Sequence, residues 1–500
     1  MRYLPNGKQM SEADAHTIHE IGIPSLVLME RAALQIVETM HKKNISTEKS
    51  LIVCGSGNNG GDGFAVARLL TEQGKHADVL FAGKEASLSE ECRCQKQIVE
   101  NMGISVFTEF QDEEYTVIID AVFGVGLCRE ITGHYKDVID WMNLQDAEKV
   151  AVDIPSGICA TTGKILGTAF RADLTVCMAC VKLGCELFPG KSYAGESIPV
   201  AIGIDPKYFS NRLDVCYTFD KNDLGKLLPS RMMNSHKGSY GKVLMITGSP
   251  GMAGAAFLSA CAAYTVGAGL VQIYTASENR LALQELLPEA IISCYDSYDD
   301  SQLSHLLDWA DVVCIGCGLG MGQISEKILK NVLKNVSCPC VIDADGLNLL
   351  SRNIELLNQC CAPVILTPHM KEMSRLTGYS VQELKDNRRE LLRKYTEKVH
   401  AVCVLKDSRT LVKAPEGRLM INTTGNAAMA KAGSGDVLAG MITGFMAQHM
   451  RPDDAAVLGV YLHGLCGDHA RKELGSYSVL AGDLLKMLGR TLKELEDMTE

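Results

Sequence analysis

Short runs rich in Val, Ile and Cys alternate with helix-patterned stretches along the whole chain, and this alternation constrains the fold more than any other feature. Apolar runs without polar alternation suit strands buried on both faces, and strands separated by helices suit parallel pairing. A first series reads Leu51–Cys54, Asp78–Phe81, Val117–Asp120, Lys149–Ile154 and Leu174–Met178. A second reads Lys242–Thr247, Leu270–Tyr274, Asp311–Ile315, Cys340–Asp343, Pro363–Thr367 and Val402–Lys406. Near the start, Leu26, Met29, Ala33, Ile36, Val37 and Met40 keep the spacing of an amphipathic helix behind Pro24 and Ser25. Between the series, Gly203 to Gly238 holds polar stretches, Pro206, Pro229 and a turn-like Asn234–Gly238. Five hundred residues exceed what one core serves. The expectation is α/β: two tandem domains, 1–215 and 222–497, with the boundary near 215–225.

Composition excludes several classes. Apolar residues make up 46% and the formal charge is −11, so binding nucleic acid or an anionic membrane by bulk electrostatics is not expected. No apolar run approaches the roughly 18–20 residues that span a bilayer. Met1 to Asp14 is mostly polar, unlike a signal peptide. The 19 cysteines are scattered, odd in number and often set inside apolar strands. That is the usage of a reducing compartment, and a cytoplasmic location is expected. Cys92-x-Cys94 and Cys338-x-Cys340 have the wrong spacing for zinc knuckles.

Two glycine-rich segments carry the chemistry. Ala430-Lys431-Ala432-Gly433-Ser434-Gly435-Asp436 precedes an apolar run, Val437–Phe445, that reads as a helix. Small residues at a helix start leave backbone N–H groups open to an anion, and the helix dipole adds to their pull. An acid placed there, Asp436, suits a base beside a bound phosphate. Earlier, Gly55-Ser56-Gly57-Asn58-Asn59-Gly60-Gly61-Asp62-Gly63 follows the Leu51–Cys54 run and precedes a helix over Phe64–Leu70. It satisfies G-x-G-x-x-G, yet Asn58, Asn59 and Asp62 crowd polar groups where a dinucleotide turn stays bare. The runs Val117–Asp120 and Val150–Ile154 end in Ala121–Leu127 and Pro155–Gly157. In parallel sheets such ends meet at a ligand site. Asp153, read as lying inside a strand, is either a buried structural acid or the acid–base group of that site.

Together, Asn58–Gly63, Asp120 with Phe123-Gly124-x-Gly126, and Asp153-Ile154-Pro155-Ser156-Gly157 resemble the NAD(P)H-hydrate epimerase domain, as do Leu28–Ala32 and Lys182-x-Gly184. The resemblance implies a Rossmann-like three-layer domain. Hydrated nucleotide would be held by Asn58, Asn59, Gly60, Gly61 and Asp62, by Gly124, Val125, Gly126, Leu127, Cys128, Arg129 and Glu130, and by Asp153. It implies potassium at Asn59, Asp120 and Ser156, while the role of Lys182 stays open.

The second half carries Gly248–Ala255, Gly316-Cys317-Gly318-Leu319-Gly320, Asp343-Ala344-Asp345-Gly346-Leu347-Asn348, Thr367-Pro368-His369-x-x-Glu372-Met373 and Gly433–Asp436. These resemble the ADP/ATP-dependent NAD(P)H-hydrate dehydratases of the ribokinase-like superfamily. That resemblance implies a ribokinase-like three-layer domain with Asp436 as base and Gly433–Gly435 as anion hole. Ala253, Gly320 and His369 would line the hydrate pocket. Lys406, Asp407, Ser408, Arg409, Thr410 and Gly435 would contact ADP, or ATP as alternative donor, with Lys406 and Arg409 on phosphate. Glu372 would orient magnesium through water, and Asp343 is readable as a cap of the following helix.

The expected activity is bifunctional repair of hydrated NADH and NADPH: epimerisation at C6, then dehydration of the S form. Small-molecule substrates and a homo-oligomer are expected, with neither nucleic acid nor membrane as partner. Three alternatives stay open at this point: a ribokinase-like small-molecule kinase, a non-catalytic binding module in the first domain, and a nicotinamide dehydrogenase.

Overall fold

The computed structural model describes residues 1–111 and 113–498. The chain divides into two compact units, Arg2–Cys216 and Tyr217–Glu500, the latter together with Met1.

In the first unit the strands are β1 (Lys49–Cys54), β2 (His76–Phe81), β3 (Val106–Phe107), β4 (Val117–Ala121), β5 (Glu148–Val152), β6 (Leu174–Met178) and β7 (Glu196–Val200). They form a parallel sheet in the order β3-β2-β1-β4-β5-β6-β7. Alternate residues feed two cores. Ile52, Val79, Ile119 and Val150 pack with Ile36 and Phe64 on one face. Leu51, Leu80, Ile118 and Ala151 pack with Val138, Ile139 and Met142 on the other. That division is a three-layer arrangement.

Three helices position the first site: α1 (Gly7–His16), α2 (Ser25–Lys42) and α3 (Asn58–Glu72). Helix α3 begins inside the glycine-rich segment, six residues earlier than the apolar pattern suggests. Its glycines are close-approach residues. A Cβ on Gly60 would stand 2.1 Å from the Gly55 carbonyl oxygen, and one on Gly63 2.6 Å from Ala121 Cβ.

The second unit contains β8 (Lys242–Ile246), β9 (Leu270–Ala276), β10 (Ile291–Tyr295), β11 (Val312–Ile315), β12 (Cys340–Ile342), β13 (Val364–Leu366), β14 (Val402–Leu405), β15 (Leu411–Lys413) and β16 (Met420–Ile421). Their order is β16-β15-β14-β13-β12-β11-β8-β9-β10; pairing is parallel from β14 through β10, and β15 runs antiparallel to both its neighbours. Helices α4 (Ala253–Thr265), α5 (Met370–Thr377) and α6 (Ser434–Ala447) frame the second site. Gly440 and Gly444 let α6 lie directly on α4, since a Cβ on Gly440 would meet the Ser259 carbonyl oxygen at 2.1 Å.

Sequence patterning finds the central strands and misses β3, β7, β10, β15 and β16, which are sheet margins or too short for a periodic signal. One expectation is corrected. Asp153 lies one residue beyond β5, at φ 69°, rather than inside the strand.

Gly60→Ala is expected to destabilise the first unit by about 1–3 kcal/mol, because overpacking against backbone outweighs alanine's helix preference of about 1 kcal/mol. Thermal unfolding checks this; an unchanged Tm would contradict the close-approach reading.

Candidate active sites

Strand order reverses between β1 and β4, and ligands in open α/β sheets bind at that reversal beyond the carboxyl ends of the strands. A cavity of about 790 Å³ opens there. Asn58, Asn59, Asp62, the run Gly124–Arg129, Asp153 and Lys182 line it. Gly60 and Gly61 are buried in the packing of α3, and Glu130 is exposed outside the cavity lining.

Asp153 is built by a turn rather than a strand. Its N–H donates to the Val176 carbonyl at 2.8 Å, and its Oδ1 accepts the Met178 N–H at 2.8 Å. The carboxylate thus fills the next hydrogen-bonding slot along β6. Aspartate is among the few side chains that tolerate positive φ. Lys182, fully buried, donates from Nζ to that same Oδ1 and to the Met178 carbonyl at 2.8 Å. Burial works against the lysine's charge, but Asp153 overrides it and holds the lysine pKa above its usual value.

Asp14, on α1, also reaches the cavity. Sequence reading missed it because one acid on an amphipathic helix looks like a solvated surface residue. Gly7 seats α1 here, since a Cβ would stand 2.5 Å from the Val125 carbonyl oxygen.

Asp120, inside β4, is fully buried and accepts from Ser156 N at 2.7 Å, Ser156 Oγ at 2.6 Å and Val122 N at 3.2 Å. Burial pushes its carboxyl up to about 6 against those hydrogen bonds. Nearby, Asn59 packs against Gly124, and among the described residues its buried Nδ2 has no hydrogen-bond partner. Turning that amide over would put an oxygen in the same place. A buried carboxylate without a counter-ion, hydroxyl oxygen and an unsatisfied amide suit a hard monovalent cation.

The second unit repeats the topology. Strand order reverses between β8 and β11, and the ends of β11 to β14 converge. Gly316 at φ 124° lies against the Asp343 carbonyl, where a Cβ would be 1.9 Å away. Asp343 makes no side-chain cap; its Oδ1 accepts from Thr367 Oγ1 at 2.7 Å and Lys406 Nζ at 2.7 Å. The helix-cap reading of this residue is therefore replaced by an ion pair. Gly435 sits beside that pair: a Cβ there would lie 3.3 Å from Lys406 Nζ and 3.8 Å from Asp343 Oδ2.

Gly433, at φ 87°, caps α6, and Ser434, Gly435 and Asp436 form its first turn, whose N–H groups lack intrahelical acceptors, the Ser434 N–H reaching the Lys431 carbonyl at 3.5 Å. Ligand atoms of Asp436, Asp343 and Cys317 lie within 4.8 Å of one another. Burial and then Asp343 push the Asp436 carboxyl up to about 6. Contact with Cys314, and then burial, drive the Cys317 thiol well above its usual range, so it stays an S–H donor.

His369 caps α5: its Nδ1 accepts from Lys371 N at 3.1 Å and Glu372 N at 3.2 Å, and its Nε2 lies 3.4 Å from Glu372 Oε1. Burial, and then Lys406, lower its pKa. Gly320 donates its N–H to Asp345 Oδ2 at 2.8 Å, and Ala253 starts α4. Asp407 and Ser408 are exposed; Asp407 pairs with Arg388 at 3.1 Å, and Thr410 Oγ1 donates to the Asp407 carbonyl. Arg409 is buried with Nη1 on the Thr423 carbonyl at 3.2 Å, while Lys406 stands on Asp343. His463, absent from the sequence reading, has Nε2 2.9 Å from the Ser434 carbonyl and 3.1 Å from its Oγ.

Fold and sites define a class: a fusion of two α/β units, each with a carboxylate-bearing, anion-ready site at a strand-order reversal. Comparison with known proteins narrows it. Residues 25–184 match the family described as YjeF-related protein N-terminus, and 243–490 match NAD(P)H-hydrate dehydratase. A bifunctional NAD(P)H-hydrate repair enzyme of Moorella thermoacetica is 36% identical, over 100% of this chain and 98% of its own. Its Escherichia coli counterpart is 34% identical, over 94% and 90%. Among solved structures, the ADP/ATP-dependent NAD(P)H-hydrate dehydratase of Bacillus subtilis, co-crystallised with ATP and Mg2+, covers 57% of this chain and 100% of its own, with 32% identity and a TM-score of 0.51. The chain belongs to the family of bifunctional NAD(P)H-hydrate repair enzymes.

Lys182→Met should cost the first unit about 3–5 kcal/mol, because it leaves the Asp153 charge without a partner. Adding Asp153→Asn, which keeps an acceptor for Met178 N–H, should restore most of that loss. Denaturant unfolding of both variants decides; a Lys182→Met variant as stable as the parent would rule out the buried pair as a constraint.

Proposed function

We propose that the chain repairs hydrated NADH and NADPH in two steps, epimerising C6 in the first unit and dehydrating the S form in the second. The observation that carries this reading is Asp436 at an open helix start, beside the Asp343–Lys406 pair, in a chain of this family. Asp436 takes the proton of the C6 hydroxyl, whose oxygen attacks the terminal phosphate of ADP. The N–H groups of the Gly433–Asp436 turn stabilise the charge on the transferring phosphoryl group. The ring nitrogen then expels phosphate, and a proton leaves C5, giving NAD(P)H, AMP and phosphate. Ala253, Gly320 and His369 frame the hydrate. Lys406 to Thr410 and Gly435 form the ADP side, with Arg409 acting as a brace.

ADP is the proposed donor over ATP, since fused two-domain forms resemble the bacterial ADP users. Glu372 is the residue proposed to orient Mg2+ through water. Its carboxyl is pushed up to about 7, chiefly by burial, and a bound cation would offset that. A bound Mg2+ supplies charge neutralisation on the phosphates.

In the first unit Asp153, paired with Lys182, handles the proton at the C6 hydroxyl while water leaves and returns. Asn58, Asn59, Asp62 and the Gly124–Glu130 loop embrace the nucleotide, and K+ would sit on Asn59, Asp120 and Ser156. Among the described residues no helix is long and apolar enough to cross a membrane. All 19 cysteines are free, which supports a cytoplasmic location. Exposed Leu26, Val27 and Leu34 on α2 support assembly as a homo-oligomer.

Because Asp436 must be ionised to act as base, dehydration should fall about tenfold per pH unit below about 6 and level off above it. Asp436→Asn should lose on the order of 100- to 10 000-fold in kcat without touching epimer exchange. Initial rates on the S epimer with ADP test both; a flat profile from pH 5 to 8 would remove Asp436 as the base.

Asp120 has its pKa raised on folding, so the cation-free first unit gains stability as pH falls from 7 through about 6 and loses it as pH rises. A K+ beside the ionised carboxylate should therefore raise Tm at pH 7.5 and do little at pH 5. Replacing K+ by choline in a melting experiment checks this; equal shifts at the two pH values would argue against the site.

A further inference from the structure

Inverting C6 requires water to leave one face of the ring and return to the other. Each passage moves a proton, so two proton-handling groups serve the reaction better than one. Asp153 is tied to Lys182 and to Met178 N–H. Two more carboxylates line the same cavity, Asp14 from α1 and Asp62 from α3. Both are half-buried, and among the described residues neither has a hydrogen-bond or ion-pair partner. Structural carboxylates at this depth find partners, as Asp120 does. The buried, unpartnered Nδ2 of Asn59 belongs to the same cavity, marking its wall as built for polar ligand atoms.

We propose that Asp14 is the second acid–base group of the epimerase, working from α1 while Asp153 works from the end of β5. The assignment rests on the epimerase reading above and adds the group that reading lacks. The C6–O bond breaks as Asp14 gives its proton to the leaving hydroxyl, which departs as water. The lone pair on N1 closes to an N1=C6 iminium, which the surrounding carboxylates stabilise. Water then adds to C6 from the other face, its electrons return to N1, and its extra proton goes to Asp153. Reverse epimerisation starts from the state so produced, Asp14 ionised and Asp153 protonated, so nothing is consumed and each epimer meets one protonation state of the pair.

Asp14 suits proton exchange better than Asp62. Burial, Asp153 and then Glu91 raise the Asp14 pKa, while His19 lowers it. Asp62 is driven much further, by burial, Asp153 and Asp14, with Lys182 opposing. A carboxyl pushed toward its protonated form suits donating a hydrogen bond to the ligand more than exchanging its proton. Lys84 and Arg129 also line the cavity and contribute positive charge there.

The test uses the full chain. Conversion of the R to the S hydrate is followed by chromatography across pH, and dehydration of the S hydrate with ADP serves as a folding control. Asp14→Asn should slow epimerisation on the order of 100-fold or more, leave dehydration unchanged, and move the alkaline limb of the pH profile. Asp14→Glu should recover at least about a tenth of the lost rate, since it restores a titratable carboxyl. An Asp14→Asn rate within about threefold of the parent would overturn the assignment. So would a slow variant with an unmoved pH profile and no recovery by Asp14→Glu, which describes a structural role. Asp153→Asn runs in parallel: its full retention of epimerisation would sink the underlying reading itself, a result separable from failure at Asp14 alone.

Discussion

Each half of the chain depends on one lysine placed against one strand-end aspartate. Lys182 holds Asp153 in the first unit, and Lys406 holds Asp343 in the second. Neither charge would be tolerable alone at that depth, because desolvating an unpaired ion costs several kcal/mol. Paired, each lysine is held above its usual pKa by its aspartate, while Asp14 and Asp62, without such a partner, are pushed up. That contrast separates acid from base: Asp153 beside its lysine against Asp14 and Asp62 without one.

Topology explains why the pairs fall where they do. Both sheets are parallel across the site and reverse strand order there, between β1 and β4 and between β8 and β11. The chain leaves neighbouring strands toward opposite faces at a reversal, so a crevice opens without any side chain being removed. Glycines then bring backbone close: Gly60 against Gly55, Gly316 against Asp343, Gly440 against Ser259. The two units reach the same solution with different machinery. The first binds through side-chain amides and loop backbone, and the second through an open helix start.

Much of this was legible in the residues. The central strands follow from apolar runs, and the glycine motifs at their ends place both sites because a parallel sheet leaves few alternatives. Local pattern could not supply long-range partners. Lys182 looked ambiguous because its value comes from Asp153, 29 residues away. Asp343 looked like a helix cap because Lys406 lies 63 residues on. Asp14 reads as surface until α1 is seen folded over the cavity. Asp153 at positive φ had no signature in its apolar surroundings, since the turn is set by the carboxylate's own bond to Met178 N–H.

The central claim is that one chain rescues both epimers through two separate carboxylate sites. The most direct measurement is recovery of the reduced-nicotinamide near-ultraviolet absorbance from a mixture of R and S hydrates supplied with excess ADP. The account predicts recovery of the whole mixture, at a rate beyond spontaneous epimerisation. Recovery that halts at the S share, with only the slow spontaneous tail beyond it, would contradict it.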